Sequence, residues 1–136
     1  MLNLLTGIAD TADFCGEAPV FLEDENSIYW IDTGNPLVHK YDLQASVHSS
    51  ISITKPLEGL VPRRNGGWIA PSKNSILLYD RKFNIEDEIE NIMPGATGLA
   101  FHDCCAGPDG SLYLGAYSEE NYQAPDGCVF RFSSDL

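Results

Sequence analysis

Ala100–Tyr117 reads Ala-Phe-His-Asp-Cys-Cys-Ala-Gly-Pro-Asp-Gly-Ser-Leu-Tyr-Leu-Gly-Ala-Tyr. Gly107-Pro108-Asp109-Gly110 is a turn, because proline fixes φ and glycine permits φ > 0. Ser111–Tyr117 is an aromatic and aliphatic run of strand length. The stretch therefore predicts strand, tight turn, strand. At the outer end of the first strand, His102 and Asp103 set a metal-capable imidazole beside a carboxylate.

The same pattern occurs twice earlier in the chain. Ser27–Asp32, containing Ile28-Tyr29-Trp30-Ile31, and Gly67–Pro71, with Trp68 and Ile69, occupy the place of Ser111–Tyr117. Their first residues, Ser27, Gly67 and Ser111, are spaced 40 and 44 residues apart. Tyr41-Asp42 aligns with Tyr79-Asp80 at the ends of the third strands. Val47–Thr54 alternates apolar and polar residues as a fourth strand. Asn84–Asn91 suits an outer edge strand better than a helix. Four short strands in about 40–45 residues is the size of a β-propeller blade.

The expected fold is all-β, a half β-propeller of three four-stranded blades. Blade 1 is placed at about 14–54, blade 2 at 57–92 and blade 3 at 98–133, the last lacking its outermost strand. The apolar run Leu2–Leu5, within residues 1–10, is a candidate closing strand. Three blades cannot close a ring, and open flanks expose unpaired backbone and apolar faces. A second chain, forming a homodimer about a two-fold axis, is expected to complete six blades.

The chain has 136 residues, the length of one domain, with a formal net charge of −12 and a 43% apolar content. The acidic balance repels a phosphate backbone, so no nucleic-acid partner is expected. No apolar run approaches the ~20 residues of a membrane span. Met1-Leu2-Asn3-Leu4-Leu5 lacks the basic start and long apolar core of a secretory signal, which predicts a cytoplasmic protein. Cys15, Cys104, Cys105 and Cys128 are then reduced thiols. No CxxC pair indicates a structural zinc site.

Several of these segments, in this order and spacing, resemble the SMP-30/gluconolactonase/regucalcin family. They are Gly16-Glu17-Ala18-Pro19-Val20-Phe21, Tyr29-Trp30-Ile31-Asp32, His39-Lys40-Tyr41-Asp42, Phe101-His102-Asp103, Gly107-Pro108-Asp109-Gly110 and Gly115-Ala116-Tyr117. The resemblance spans about residues 14–133 and covers the family's first half. It implies a six-bladed propeller that binds a divalent cation, calcium or zinc, and hydrolyses sugar lactones. It makes Glu17 a metal ligand and Glu120 a substrate-binding residue of the loop over the substrate. The family has asparagine where this chain has His102, and a substrate-binding arginine where it has Ala100. Its remaining metal ligands and usual catalytic carboxylate lie in the other half.

A lactonase needs a Lewis acid to polarise the carbonyl and a base to activate water. Glu17 is the expected ligand, with a surface turn carboxylate as the alternative. His102 is a candidate base or metal ligand, against a histidine that is structural or merely exposed. Asp103 could orient His102 or bind metal, against a strand-end cap. Two functions follow: a metal-dependent sugar-lactone hydrolase whose channel site is assembled between two chains, or a non-catalytic half-propeller that binds metal, ligand or partner.

Overall fold

The repeated Tyr-Asp pairs show how the third strands of blades 1 and 2 end. Asp42 accepts backbone N–H bonds from Gln44 and Ala45, both at 2.8 Å. Asp80 does the same for Lys82 and Asn84, at 2.7 and 2.9 Å. Aspartate side chains that bond their own backbone a few residues on replace the ladder with a turn, so the strand ends there.

The computed structural model describes residues 5–93, 98–123 and 125–133. They form three antiparallel sheets. Blade 1 has the order β1 (Gly16–Leu22), β2 (Ser27–Asp32), β3 (Leu37–Asp42), β4 (Val47–Ser52). Blade 2 has β5 (Val61–Pro62), β6 (Trp68–Ser72), β7 (Ser75–Tyr79) and β8 (Ile85–Ile89). Blade 3 has β9 (Leu99–Ala106), β10 (Leu112–Ser118) and β11 (Cys128–Phe132). The one helical element among the described residues is a 3₁₀ turn, Glu23–Glu25. The acidic run at 84–91 forms edge strand β8, whose residues Ile85, Glu86 and Asp87 face solvent. Of the candidate closing strand, residues 1–4 lie outside the described residues, and Leu5 is exposed.

Blade 2 is covered on both faces, and its sequence shows why. Side chains alternate across a strand, so a run with no polar break buries both ways. From β6 and β7, Trp68, Ala70, Leu77 and Tyr79 enter a core with Tyr29, Ile31, Val38 and Phe83 toward blade 1. Ile76, with Ile69 and Leu78, packs toward blade 3 against Phe101, Leu112, Leu114 and Ala116. Trp68 meets Tyr29 at 4.7 Å between ring centroids and stacks on Phe83 at 5.3 Å. Arg63, beside the turn that precedes β6, is held rather than solvated: its guanidinium bonds the carbonyl of Tyr79 and the carboxylate of Glu86, closing blade 2 across its turn.

The segment before β1 is fastened to blade 1 by buried polar groups. Asp13 accepts the Trp30 indole N–H at 3.0 Å and pairs with His39 Nε2 at 3.0 Å. His39 Nδ1 meets His48 Nε2 at 3.0 Å, and Trp30, His39 and His48 stack. Asp32, almost fully buried, accepts N–H bonds from Phe14, Cys15 and Gly34 and the side-chain amide of Asn35, at 2.6–3.1 Å.

Burial alone would raise the Asp32 pKa. The four donors outweigh it and hold the carboxyl at about 2, against an ordinary 3.8. Because the folded value is depressed, Asp32 stabilises the protein above its unfolded pKa and loses that contribution as pH falls from 3.8 toward about 2. We expect Asp32→Asn to destabilise by ~2 kcal/mol at neutral pH in urea unfolding. The gap from the parent should narrow through the same acid window; a constant gap would contradict the assignment.

Candidate functional site

Strands β1 and β9 break register at the candidate site residues. In β1, Glu17 pairs with Ile31, and the next paired residue is Val20, with Tyr29. Ala18 between them has φ 50°. In β9, Phe101 pairs with Ala116 and Cys104 with Leu114, so His102 and Asp103 together face only Gly115. Asp103 has φ 64°. A bulge leaves its extra residue out of the ladder and re-aims the neighbouring side chains. Non-glycine residues at positive φ store strain that the surrounding structure must hold.

The local sequence permits both breaks. Pro19 has no N–H to lose from the ladder. Gly115 is required by space: a Cβ there would stand 2.5 Å from the carbonyl oxygen of His102.

The two bulges open onto one cavity of about 580 Å³, lined by Glu17, Ala18, Pro19, Val20, Leu60, His102, Asp103 and Cys104. Glu17, His102 and Asp103 are thus brought together. Glu120 is not among the lining residues; its carboxyl carbon lies 3.8 Å from where a Cβ on Gly98 would stand. Glu17 Oε1 accepts the Cys15 thiol at 3.4 Å. Asp103 Oδ1 accepts the N–H of Cys104 at 2.7 Å, so this carboxylate caps its own bulge. His102 is half-exposed and meets the Tyr117 ring edge-on at 5.6 Å, and Tyr117 stacks on Tyr122 at 4.9 Å. Ala100, 1% exposed, leaves a methyl group under the strand.

The cavity wall is acidic. Glu58 stands behind His102, with Oε2 3.9 Å from Nδ1. Burial raises the Glu58 pKa; the His102 charge opposes this, and the negative charges of Glu17 and Glu119 add to it. Lys73 pairs with Glu119 at 3.5 Å, bridging blades 2 and 3. Burial, with Asp103 and Cys105 beside it, pushes the Cys104 thiol up to about 12. That thiol packs against the core beside blade 3 and is no nucleophile at neutral pH.

Among the described residues, no three His, Cys, Asp or Glu side chains converge closely enough to hold a metal ion. Glu17 and His102 offer suitable oxygen and nitrogen donors on one cavity but do not complete a coordination shell.

Glu58 is the site residue that sequence reading missed. Its surroundings, Pro56-Leu57-Glu58-Gly59-Leu60, show no strand period. The repeat register holds the signal. Glu17, Glu58 and His102 each stand 10 residues ahead of the first residue of their blade's second strand, Ser27, Trp68 and Leu112.

Residues 15–136 match the SMP-30/gluconolactonase/LRE-like region. The pentonolactonase XacC of Haloferax volcanii is 27% identical over 135 residues, covering 96% of this chain and 43% of that protein. A luciferin-regenerating enzyme superposes with a TM-score of 0.77 at 17% identity, over 90% of this chain and 43% of its own. The calcium-binding protein regucalcin of Agrobacterium tumefaciens superposes with a TM-score of 0.76 at 17% identity, over 91% and 42%. The chain therefore spans under half the length of each, and its three blades are half of a propeller.

Gly115→Ala tests the bulge that sets His102. Gly115 has no positive φ, so relief of chain entropy would favour alanine at a spacious site by ~0.4–1 kcal/mol. Here the clash with the His102 carbonyl should reverse the sign and cost ~1–3 kcal/mol in urea unfolding. A stabilised variant would show that the bulge does not depend on glycine.

Proposed function

The chain belongs to the SMP-30/gluconolactonase/LRE-like family, and from that premise we propose that its cavity binds and hydrolyses a sugar lactone. The observation that carries the reading is the meeting of Glu17, His102 and Asp103 on one cavity wall, drawn from two blades.

Lactone hydrolysis adds the oxygen of water to the carbonyl carbon and breaks the ring C–O bond, leaving a hydroxy acid. One group must take a proton from the water, and one must return a proton to the ring oxygen. His102 is the residue we assign to both transfers, since an imidazole does both near neutral pH. Asp103 fixes the bulge that presents it. Glu17 is the residue we assign to a divalent ion, calcium or zinc. Such an ion, when bound, would polarise the carbonyl; the described residues do not complete its coordination. Glu120 is assigned to substrate on its place after β10. No helix among the described residues is long and apolar enough to cross a membrane. We place the protein in the cytoplasm, a setting that suits its four free cysteines.

A second reading, a ligand-binding half-propeller without catalysis, is favoured by Ala100, which supplies no cation to the substrate. Turnover of pentono- and gluconolactones by the purified protein, with and without chelator and added calcium or zinc, separates the two. We expect hydrolysis above buffer and a fall of ~10²-fold or more in kcat/KM for His102→Ala. A folded parent no faster than buffer would leave the binding reading.

The ring needs three further blades, and we propose that a second copy supplies them about a two-fold axis. Exposed Phe14 and Phe21 on blade 1 and Val129 on blade 3 put apolar surface on both flanks. Light scattering over a dilution series should give twice the chain mass; a stable, folded monomer would rule the ring out.

A further inference from the structure

Glu58 is held in place by its main chain. Its N–H donates to the carbonyl of Pro71 at 2.8 Å, and its carbonyl accepts the N–H of Asp103, also at 2.8 Å. Leu57 and Leu60 on either side are buried in the core between blades 1 and 2. A bond to β6 and a bond to the bulge of β9 therefore fix position 58 beside position 102, whatever its side chain does. The carboxylate is 18% exposed, and its Oε2 stands 3.9 Å from Nδ1 of the half-exposed His102. Glu58 does not line the cavity that His102 lines. Nδ1 is the ring nitrogen that approaches the carboxylate, which leaves Nε2 free of that contact.

The other charged groups acting on Glu58 are Glu17 and Glu119, which repel it, and Lys73, which is engaged by Glu119; Asp103, next to His102, is bonded to the N–H of Cys104. The Tyr117 ring supports the imidazole edge-on. His102 is thus the ring within reach of a partly buried carboxylate. A neutral imidazole answers such a neighbour by carrying its proton on the facing nitrogen, because an N–H···carboxylate bond is charge-assisted and a lone pair facing a carboxylate is repelled. At 3.9 Å the contact is within ion-pair range and longer than a hydrogen bond; the hydrogen bond belongs to the proposal, and catalytic contacts of this kind tighten in the reacting complex.

We propose that Glu58 is the positioning residue for His102: it holds the imidazole by Nδ1 and so presents the Nε2 lone pair to the cavity. The arrangement rests on the reading of His102 as the working imidazole of this site, and it serves a proton acceptor or a donor to a metal equally. In either case the second nitrogen must be tied down for the first to be aimed. Strands β1 and β9 then contribute two cavity groups, Glu17 and His102, and the link before β5 contributes one group that orients the second.

The test reads the tautomer directly. In ¹⁵N-labelled protein at pH ~8, where a free imidazole is neutral, long-range ¹H–¹⁵N spectra distinguish a protonated from a lone-pair ring nitrogen. His102→Asn identifies the His102 signals apart from those of His39 and His48. The parent should carry its proton on Nδ1. Glu58→Ala, which keeps both main-chain bonds, should move the ratio ~10-fold toward the Nε2–H form. Glu58→Gln, which keeps an oxygen acceptor, should stay nearer the parent, and it remains informative where the alanine variant folds poorly. A parent already protonated on Nε2, or an unchanged ratio in a folded Glu58→Ala, would overturn the proposal. With lactone turnover in the parent, Glu58→Ala should lower kcat ~10-fold or more while KM changes little; equal losses in Glu58→Ala and Glu58→Gln would mark a merely structural role. A parent without turnover whose tautomer still responds to Glu58 would sink the lactonase reading and leave the positioning role standing.

Discussion

Two main-chain hydrogen bonds at Glu58, one to Pro71 and one from Asp103, tie the innermost edge of blade 2 to the bulge of blade 3. A propeller blade is a sheet whose faces are covered by its neighbours, and hydrophobic packing alone would let blades slide, since apolar contact has no direction. Backbone bonds do have direction. Together with the Phe101 N–H to Lys73 carbonyl bond at 2.7 Å, they set the depth at which β9 sits against blade 2. The strained φ of Asp103 and the close approach of Gly115 to His102 can persist only because that depth is fixed.

The electrostatics follow from the same placement. Glu17, Glu58 and Glu119 come close enough to feel one another, with Lys73 and the His102 imidazole set among them. Unlike charges interspersed among these carboxylates keep a partly buried acidic cluster tolerable, and like charges held near each other suit a place arranged for binding as well as stability. The fold's surplus of carboxylates is therefore not only a solvating surface. Asp32, Asp42 and Asp80 end strands and fasten turns, while Glu17 lines the cavity and Glu58 stands beside His102.

Much of this was legible in the residues. The alternation and length of Ser27–Asp32, Leu37–Asp42 and Cys128–Phe132 define strands because one face of each must meet a neighbour. The unbroken Ile76-Leu77-Leu78-Tyr79 run belongs to the blade covered on both sides. The resemblance carried by Gly16-Glu17-Ala18-Pro19 and Phe101-His102-Asp103 pointed to the two bulged segments. Less legible was whatever depends on contacts between blades. Arg63 is adjacent in sequence to a turn and looks solvated, yet it closes blade 2 onto Glu86. Glu58 lies in a link where β5 is only two residues long, so no local period announces it. Only the spacing to the next strand, shared with Glu17 and His102, places it.

Attachment through the main chain has a consequence for how such a site can change. The clamp at position 58 uses only the peptide groups of Glu58, and the bulge at position 102 is set by the backbone of β9 and by the missing side chain of Gly115. Neither depends on which side chain projects from 58 or 102. The scaffold and the chemistry are thus separable at these two positions: a different acid, base or neutral group could be installed there with the backbone frame unaltered. Such a fold can exchange one reactivity for another by single substitutions, a latitude that a site built from mutually supporting side chains does not have.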